Sequence, residues 1–134
     1  MRLPRFLTPQ TVVRAHCDLP CGVYDPAQAR IEAESIKAIQ EKYQGNDDPV
    51  FRERCTLIKE ERADMVKHHL WVLWTDYFKP EHLEKYPQLH QLFNEATKLA
   101  GAGGTKASLD VATAEALLGK IDEIAKIFWE TKQA

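Results

Sequence analysis

The groups that can do chemistry are concentrated in one short segment near the start of the chain, His16-Cys17-Asp18-Leu19-Pro20-Cys21-Gly22-Val23-Tyr24. Two thiols lie four residues apart, a histidine directly precedes the first, and Pro20 and Gly22 bend the segment into a turn. A disulfide loop is one reading, although a persistent disulfide is less expected without an export signal. A redox thiol pair is another, but the spacing is not C-x-x-C. A zinc site wants four ligands, and the local set offers two thiolates and one imidazole. A cut between Ala15 and His16 would open a further chemistry. The new α-amine of His16, the Cys17 amide nitrogen and the thiolates of Cys17 and Cys21 could then lie in one plane. Two nitrogens and two sulfurs in a plane suit Ni(II) or Cu(II) rather than zinc. The His16 ring would be free to act as a fifth, axial donor, and before the cut the amine is an amide and a poor ligand.

The elements that must position this segment read as helices. Asp25-Pro26 is a helix start, because Asp accepts from free N–H groups and Pro suits the first helical position. The spacing predicts helices from Pro26 to Gln44, stopped by Gly45, and from Pro49 to Phe78, stopped at Lys79-Pro80. A turn or one short helical piece fits Pro80 to Pro87. Leu89, Leu92, Phe93, Ala96, Leu99 and Ala100 then follow helical spacing up to the glycines at 101–104. Ser108 is expected to cap a last helix with the stripe Ala114, Leu117, Ile121, Ile124 and Phe128. No alternating strand pattern of useful length and no internal repeat is present. The expected fold is all-α, an antiparallel four-helix bundle preceded by the irregular segment at 16–24.

Two charged residues stand on apolar stripes. Glu32 falls among Ala29, Ile36, Ile39 and Tyr43. Arg62, with His69, falls among Phe51, Cys55, Ile58, Met65 and Val72. A buried Glu or Arg is costly unless paired. The two can pair with each other, reach water at a bundle end, or orient a metal ligand. Trp71, Trp74, Tyr77 and Phe78 read as core packing or a subunit contact. His68, His69, His82 and His90 form no metal-binding spacing, and Cys55 reads as a small buried hydrophobe.

The 134 residues fit one domain, and no apolar run approaches the roughly 20 residues of a membrane helix. The net charge of −2 argues against a nucleic-acid binder driven by phosphate contacts. Residues 1–15 hold Arg2, Arg5 and Arg14 and no acid, which leaves the remainder five charges negative. That segment lacks the apolar core of a secretory signal. It reads as a tail or as a leader that is removed.

The stretch HCDLPCGVYDP resembles the nickel hook of nickel-containing superoxide dismutases. The resemblance runs from His16 to Ala134 and takes in GNDDP at 45–49, DYFKP at 76–80, EKYP at 84–87 and IFWETK at 127–132. It implies a pro-segment at 1–15 removed by a processing protease, a hook at 16–24 and a four-helix bundle at 25–134. It implies a homohexamer with one nickel ion per subunit, cycling between Ni(III) and Ni(II) to disproportionate superoxide, and the lack of an export signal at 1–15 points to a cytoplasmic location. The nickel ligands would come from His16, Cys17 and Cys21, with Tyr24 beside them as the first candidate proton source. Glu32 and Arg62 match positions that orient the His16 imidazole. Asp18 shapes the loop, and Tyr24 and Tyr77 line the approach. Lys79, and with it Lys67, is the expected source of positive charge for an anionic substrate. A nickel carrier without turnover, or a helical interaction protein with a disulfide loop, are the rival readings.

Overall fold

The structure is a computed structural model and describes residues 21–133. Five α-helices follow in order: α1 (Ala27–Gln44), α2 (Pro49–Val72), α3 (Pro80–Lys85), α4 (Leu89–Leu99) and α5 (Val111–Gln133). Between α2 and α3 the residues Leu73–Tyr77 form a single π-turn. The described residues contain no β-strand.

Local chemistry sets the boundaries. The Asp25 carboxylate accepts the Ala27 N–H at 2.8 Å, and the Gly45 N–H closes α1 on the Glu41 carbonyl. Asp48 caps α2 by accepting the Val50 N–H at 3.2 Å, with Pro49 in the first helical position. Arg52 locks the intervening turn by donating to the Asn46 carbonyl and the Asp47 carboxylate. The start of α5 differs from expectation. Asp110, not Ser108, accepts the Ala112 N–H at 3.0 Å. Ser108 accepts the Asp110 N–H instead, so it shapes the approach to the cap.

The four long helices close a ring in which α1 packs on α2 and α5, and α4 packs on the same two. Cross-links show the antiparallel sense. Along α1, Arg30 pairs with Asp122, Lys37 with Glu115, and Gln40 donates to Thr113, so α5 descends as α1 rises. Glu32–Arg62 and Tyr43–Arg52 do the same for α1 and α2. Between α4 and α5, Lys120 joins Glu95, whose carboxyl is held below its ordinary value by hydrogen bonds from Gln91 and Lys120. The core joins Ala29, Ala33 and Ile36 of α1 to Ala63, Val66 and Leu70 of α2, with Phe93 from α4 and Leu117, Ile124 and Phe128 from α5. Fully burying a side chain such as Leu117 or Phe128 contributes about 1.5–3 kcal/mol.

The buried face of α2 is not the stripe read from the sequence. Cys55 is buried, but its companions inside are Lys59, Ala63, Val66 and Leu70. Phe51, Met65, His69 and Val72 are half-buried, and Ile58 is exposed. Spacing favoured the larger apolar residues. The fold instead turns inward the face with alanine, which permits close helix approach, and accepts a lysine at its end. The Lys59 ammonium donates to the carbonyls of Thr105 and Lys106 and pairs with Glu60 at 2.7 Å, with only 1% of the side chain exposed. It thereby fastens α2 to the loop between α4 and α5. Gly104 in that loop is required by contact, because a methyl group there would lie 2.1 Å from the Leu99 carbonyl oxygen. On α1, Gln40 is buried where Ile39 and Tyr43 are only half-buried, its amide donating to Thr113.

Candidate metal centre

The start of α1, the π-turn and the end of α5 meet at one end of the bundle. Cys21, the first described residue, is exposed there, and His16, Cys17 and Asp18 lie outside the described residues. Gly22 has φ of +75°, a left-handed conformation that side-chain-bearing residues rarely adopt. Its carbonyl accepts from Lys132 Nζ at 3.3 Å, so the last turn of α5 holds the N-terminal segment.

Tyr24 and Tyr77 face each other with ring centroids 5.7 Å apart and planes at 56°. Tyr77 is set by the π-turn. The Phe78 N–H bonds back five residues to the Leu73 carbonyl at 3.0 Å, so the chain holds one residue more than an α-turn would. The sequence reading placed an uninterrupted helix here. The extra residue lets Phe78 enter the core while Tyr77 stays at its margin, against Phe128 at 4.3 Å and His82 at 5.7 Å. The Tyr77 hydroxyl lies 2.7 Å from the Thr131 hydroxyl. Trp74 packs against His90 and Phe93, whereas Trp71 is exposed.

Glu32 and Arg62 form an ion pair at 3.0 Å, with 15% of the Glu32 side chain and 36% of the Arg62 side chain exposed. Pairing was one of the alternatives left open by the stripes. It does not use up the guanidinium, since the buried Arg62 Nε has no partner among the described residues. That N–H can serve a further acceptor. No group of three or more His, Cys, Asp or Glu side chains among the described residues is arranged to hold a metal ion.

Lys79 is exposed, and what the structure ties down is its backbone, whose N–H donates to His82 Nδ1. The Lys67 ammonium lies beside Gly101, where a methyl group would come within 2.8 Å of Nζ. Lys132 places a cation against Tyr77, with Nζ 5.3 Å from its ring centroid and 5.6 Å from that of Phe128. Sequence reasoning missed Lys132 and Thr131. Their partners are distant in the chain, and the only local signal was their place one turn beyond the buried Phe128.

Fold and site together define an all-α bundle whose cysteine-bearing N-terminal segment is anchored to its C-terminal helix beside a tyrosine pair. A family profile described as nickel-containing superoxide dismutase matches residues 11–132. Superoxide dismutase [Ni] of Streptomyces coelicolor is 62% identical over 132 residues, covering 98% of this chain and 99% of the relative. That of Streptomyces seoulensis is 63% identical over the same shares. A native nickel superoxide dismutase structure superposes with a TM-score of 0.85 at 65% identity, covering 89% of this chain and 100% of that one. Two solved variants are also similar. One has alanine for a histidine at its first residue (TM-score 0.79, 63% identity, 82% and 99% covered). The other has phenylalanine for a tyrosine eight residues later (0.85, 64%, 89% and 100%). The chain belongs to the nickel-containing superoxide dismutase family.

Proposed function

We propose that this chain is a nickel superoxide dismutase whose metal is held by the hook at 16–24, once cleavage before His16 has freed the amine. The activity is the conversion of two superoxide ions and two protons to oxygen and hydrogen peroxide. The observation that carries it is identity above 60% across 98% of the chain. Nickel supplies the one-electron exchange when bound. The donor set fits it, since thiolates and nitrogen donors make Ni(III) accessible where water ligands would not.

The chain's own residues do the rest. The His16 amine, the Cys17 amide nitrogen and the thiolates of Cys17 and Cys21 would hold the metal, and the His16 imidazole would be a further donor. The Glu32–Arg62 pair would orient that imidazole, and the buried Arg62 Nε is a donor still available for the task. Asp18 would brace the loop. Tyr24 and Tyr77 would narrow the approach and keep larger oxidants from the thiolates. The assignment of 1–15 as a removed segment is supported by two coverages. The solved structures are matched along their full length yet reach only 89% of this chain, whereas the curated relatives reach 98%. It is also supported by spacing, since a first-residue histidine followed eight residues later by tyrosine fits His16 and Tyr24.

The same reading includes a homohexamer, trimming by a separate protease and a cytoplasmic location. Assembly is supported by apolar side chains that one subunit leaves exposed, among them Leu57, Ile58, Trp71 and Trp129. No helix among the described residues is long and apolar enough to cross a membrane.

The direct test replaces Cys21 by serine in nickel-treated chain that starts at His16. Superoxide decay should fall to the rate of free nickel, and the thiolate-to-nickel absorption should weaken. Decay as fast as in the unsubstituted chain would remove Cys21 from the ligand set. A second test concerns the approach of the anion. Lys132→Gln should slow the second-order decay about two- to five-fold at low ionic strength and flatten its salt dependence. An unchanged slope would leave the Lys132 charge without a part in steering.

A further inference from the structure

The hydrogen bonds at Tyr77 have a direction. The Thr131 hydroxyl lies 2.7 Å from the Phe128 carbonyl oxygen and 2.7 Å from the Tyr77 hydroxyl. A carbonyl only accepts, and a threonine hydroxyl has one hydrogen. The Thr131 hydrogen therefore goes to Phe128, and the Tyr77 hydrogen must go to Thr131.

From this we infer that Thr131 is a positioning residue which commits the Tyr77 phenolic proton to α5, so that Tyr77 offers the approach to the metal an acceptor and not a proton. Resting on the function proposed above, this assigns the two tyrosines different work. Tyr77 holds hydrogen-bearing molecules such as water or hydrogen peroxide by its oxygen lone pair. The protons of the peroxide-forming half come from elsewhere. Three features keep the phenol from turning: Phe128 packs on one side of its ring at 4.3 Å, Phe78 lies at 5.0 Å, and Lys132 stands over the ring at 5.3 Å. Thr131 is itself fixed within α5 by its bond to Phe128. The polarity is thus set by a helix backbone carbonyl, which cannot reverse it.

The test reads the hydroxyl proton directly. Protein carrying tyrosine labelled with carbon-13 at the ring carbon bearing oxygen is examined in mixed light and heavy water, with the Tyr77 signal assigned by Tyr77→Phe. A donated, slowly exchanging hydroxyl splits this signal into two isotopic lines. In the unsubstituted chain the Tyr77 signal should be split, and its hydroxyl proton should show a cross-relaxation peak to the Thr131 methyl group. Thr131→Val should abolish the splitting, and Thr131→Ser should restore it. With nickel bound, Thr131→Val should also slow superoxide decay about two- to ten-fold, the range one hydrogen bond commands, with recovery in Thr131→Ser. An unsplit Tyr77 signal in the unsubstituted chain, or splitting that survives Thr131→Val, would overturn the assignment. If the valine variant does not fold, the unsubstituted spectrum and the serine variant still decide. A nickel-loaded unsubstituted chain that leaves superoxide untouched would instead sink the functional reading, whatever the spectrum shows.

Discussion

A nickel-treated chain that begins at His16 will consume superoxide rapidly, and one that retains Ala15 will not. The two differ by one alanine at a position that carries no reactive side chain. What changes is the nitrogen of His16. As a terminal amine, with an ordinary pKa of about 7.7–8.0, it offers a lone pair near neutral pH. As an amide nitrogen, its lone pair is delocalised into the Ala15 carbonyl and is a poor donor. Retaining Ala15 also moves the free α-amine one residue away, where it cannot close the same chelate ring with the Cys17 amide. Direct recording of superoxide decay for both chains, with nickel content and absorption spectrum, checks this. Equal activity would show that the amine is not a ligand. Nickel bound in both chains with no decay in either would favour a carrier.

The second large effect concerns stability. Lys59→Met should lower unfolding free energy by about 2–4 kcal/mol, because the Thr105 and Lys106 carbonyls lose their donor while methionine keeps most of the packing. Against a typical total of about 5–15 kcal/mol this is a large fraction. The loss should centre on the loop between α4 and α5, so amide exchange at residues 100–110 should accelerate most. Urea unfolding of both proteins at one concentration measures the difference, since any assembly makes apparent stability concentration-dependent. A change under about 0.5 kcal/mol would show that water serves these carbonyls as well as the ammonium does.

Most helix starts and stops were legible because their chemistry is local, the α5 cap and the π-turn that ends α2 being the exceptions. Asp25, Asp48, Gly45 and Pro80 act on groups within a few residues, and the structure uses each where the sequence places it. The buried face of α2 was not legible, since Phe51 and Met65 look more like core than Ala63 does. Only the identity of the neighbouring helix decides between them. Lys59 was hidden for the same reason. A lysine is read as a surface residue unless its carbonyl partners, some 46 positions away, are known. Of the site, the hook and the charges on apolar stripes were visible through unusual composition. Glu32 and Arg62 do pair. Lys79 was picked for steering by its place near Tyr77 in sequence, a cue that could not find Lys132, which stands over the Tyr77 ring from a distant part of the chain. The His16, Cys17 and Asp18 assignments lie outside the described residues and rest on the resemblance and on the relatives.

The π-turn at Leu73–Tyr77 makes the placement of Tyr77 a matter of counting. A substitution within it changes one side chain and leaves the others where they are. Loss of a single residue would let the helix resume its regular winding and carry everything beyond it through about 100°. The phenol would swing away from Tyr24 and Thr131, and Phe78 would leave the core. Between the buried Leu73 and Tyr77 this stretch tolerates a change of side chain better than a change of length, which is held by two demands at once, a packed interior and an aimed hydroxyl.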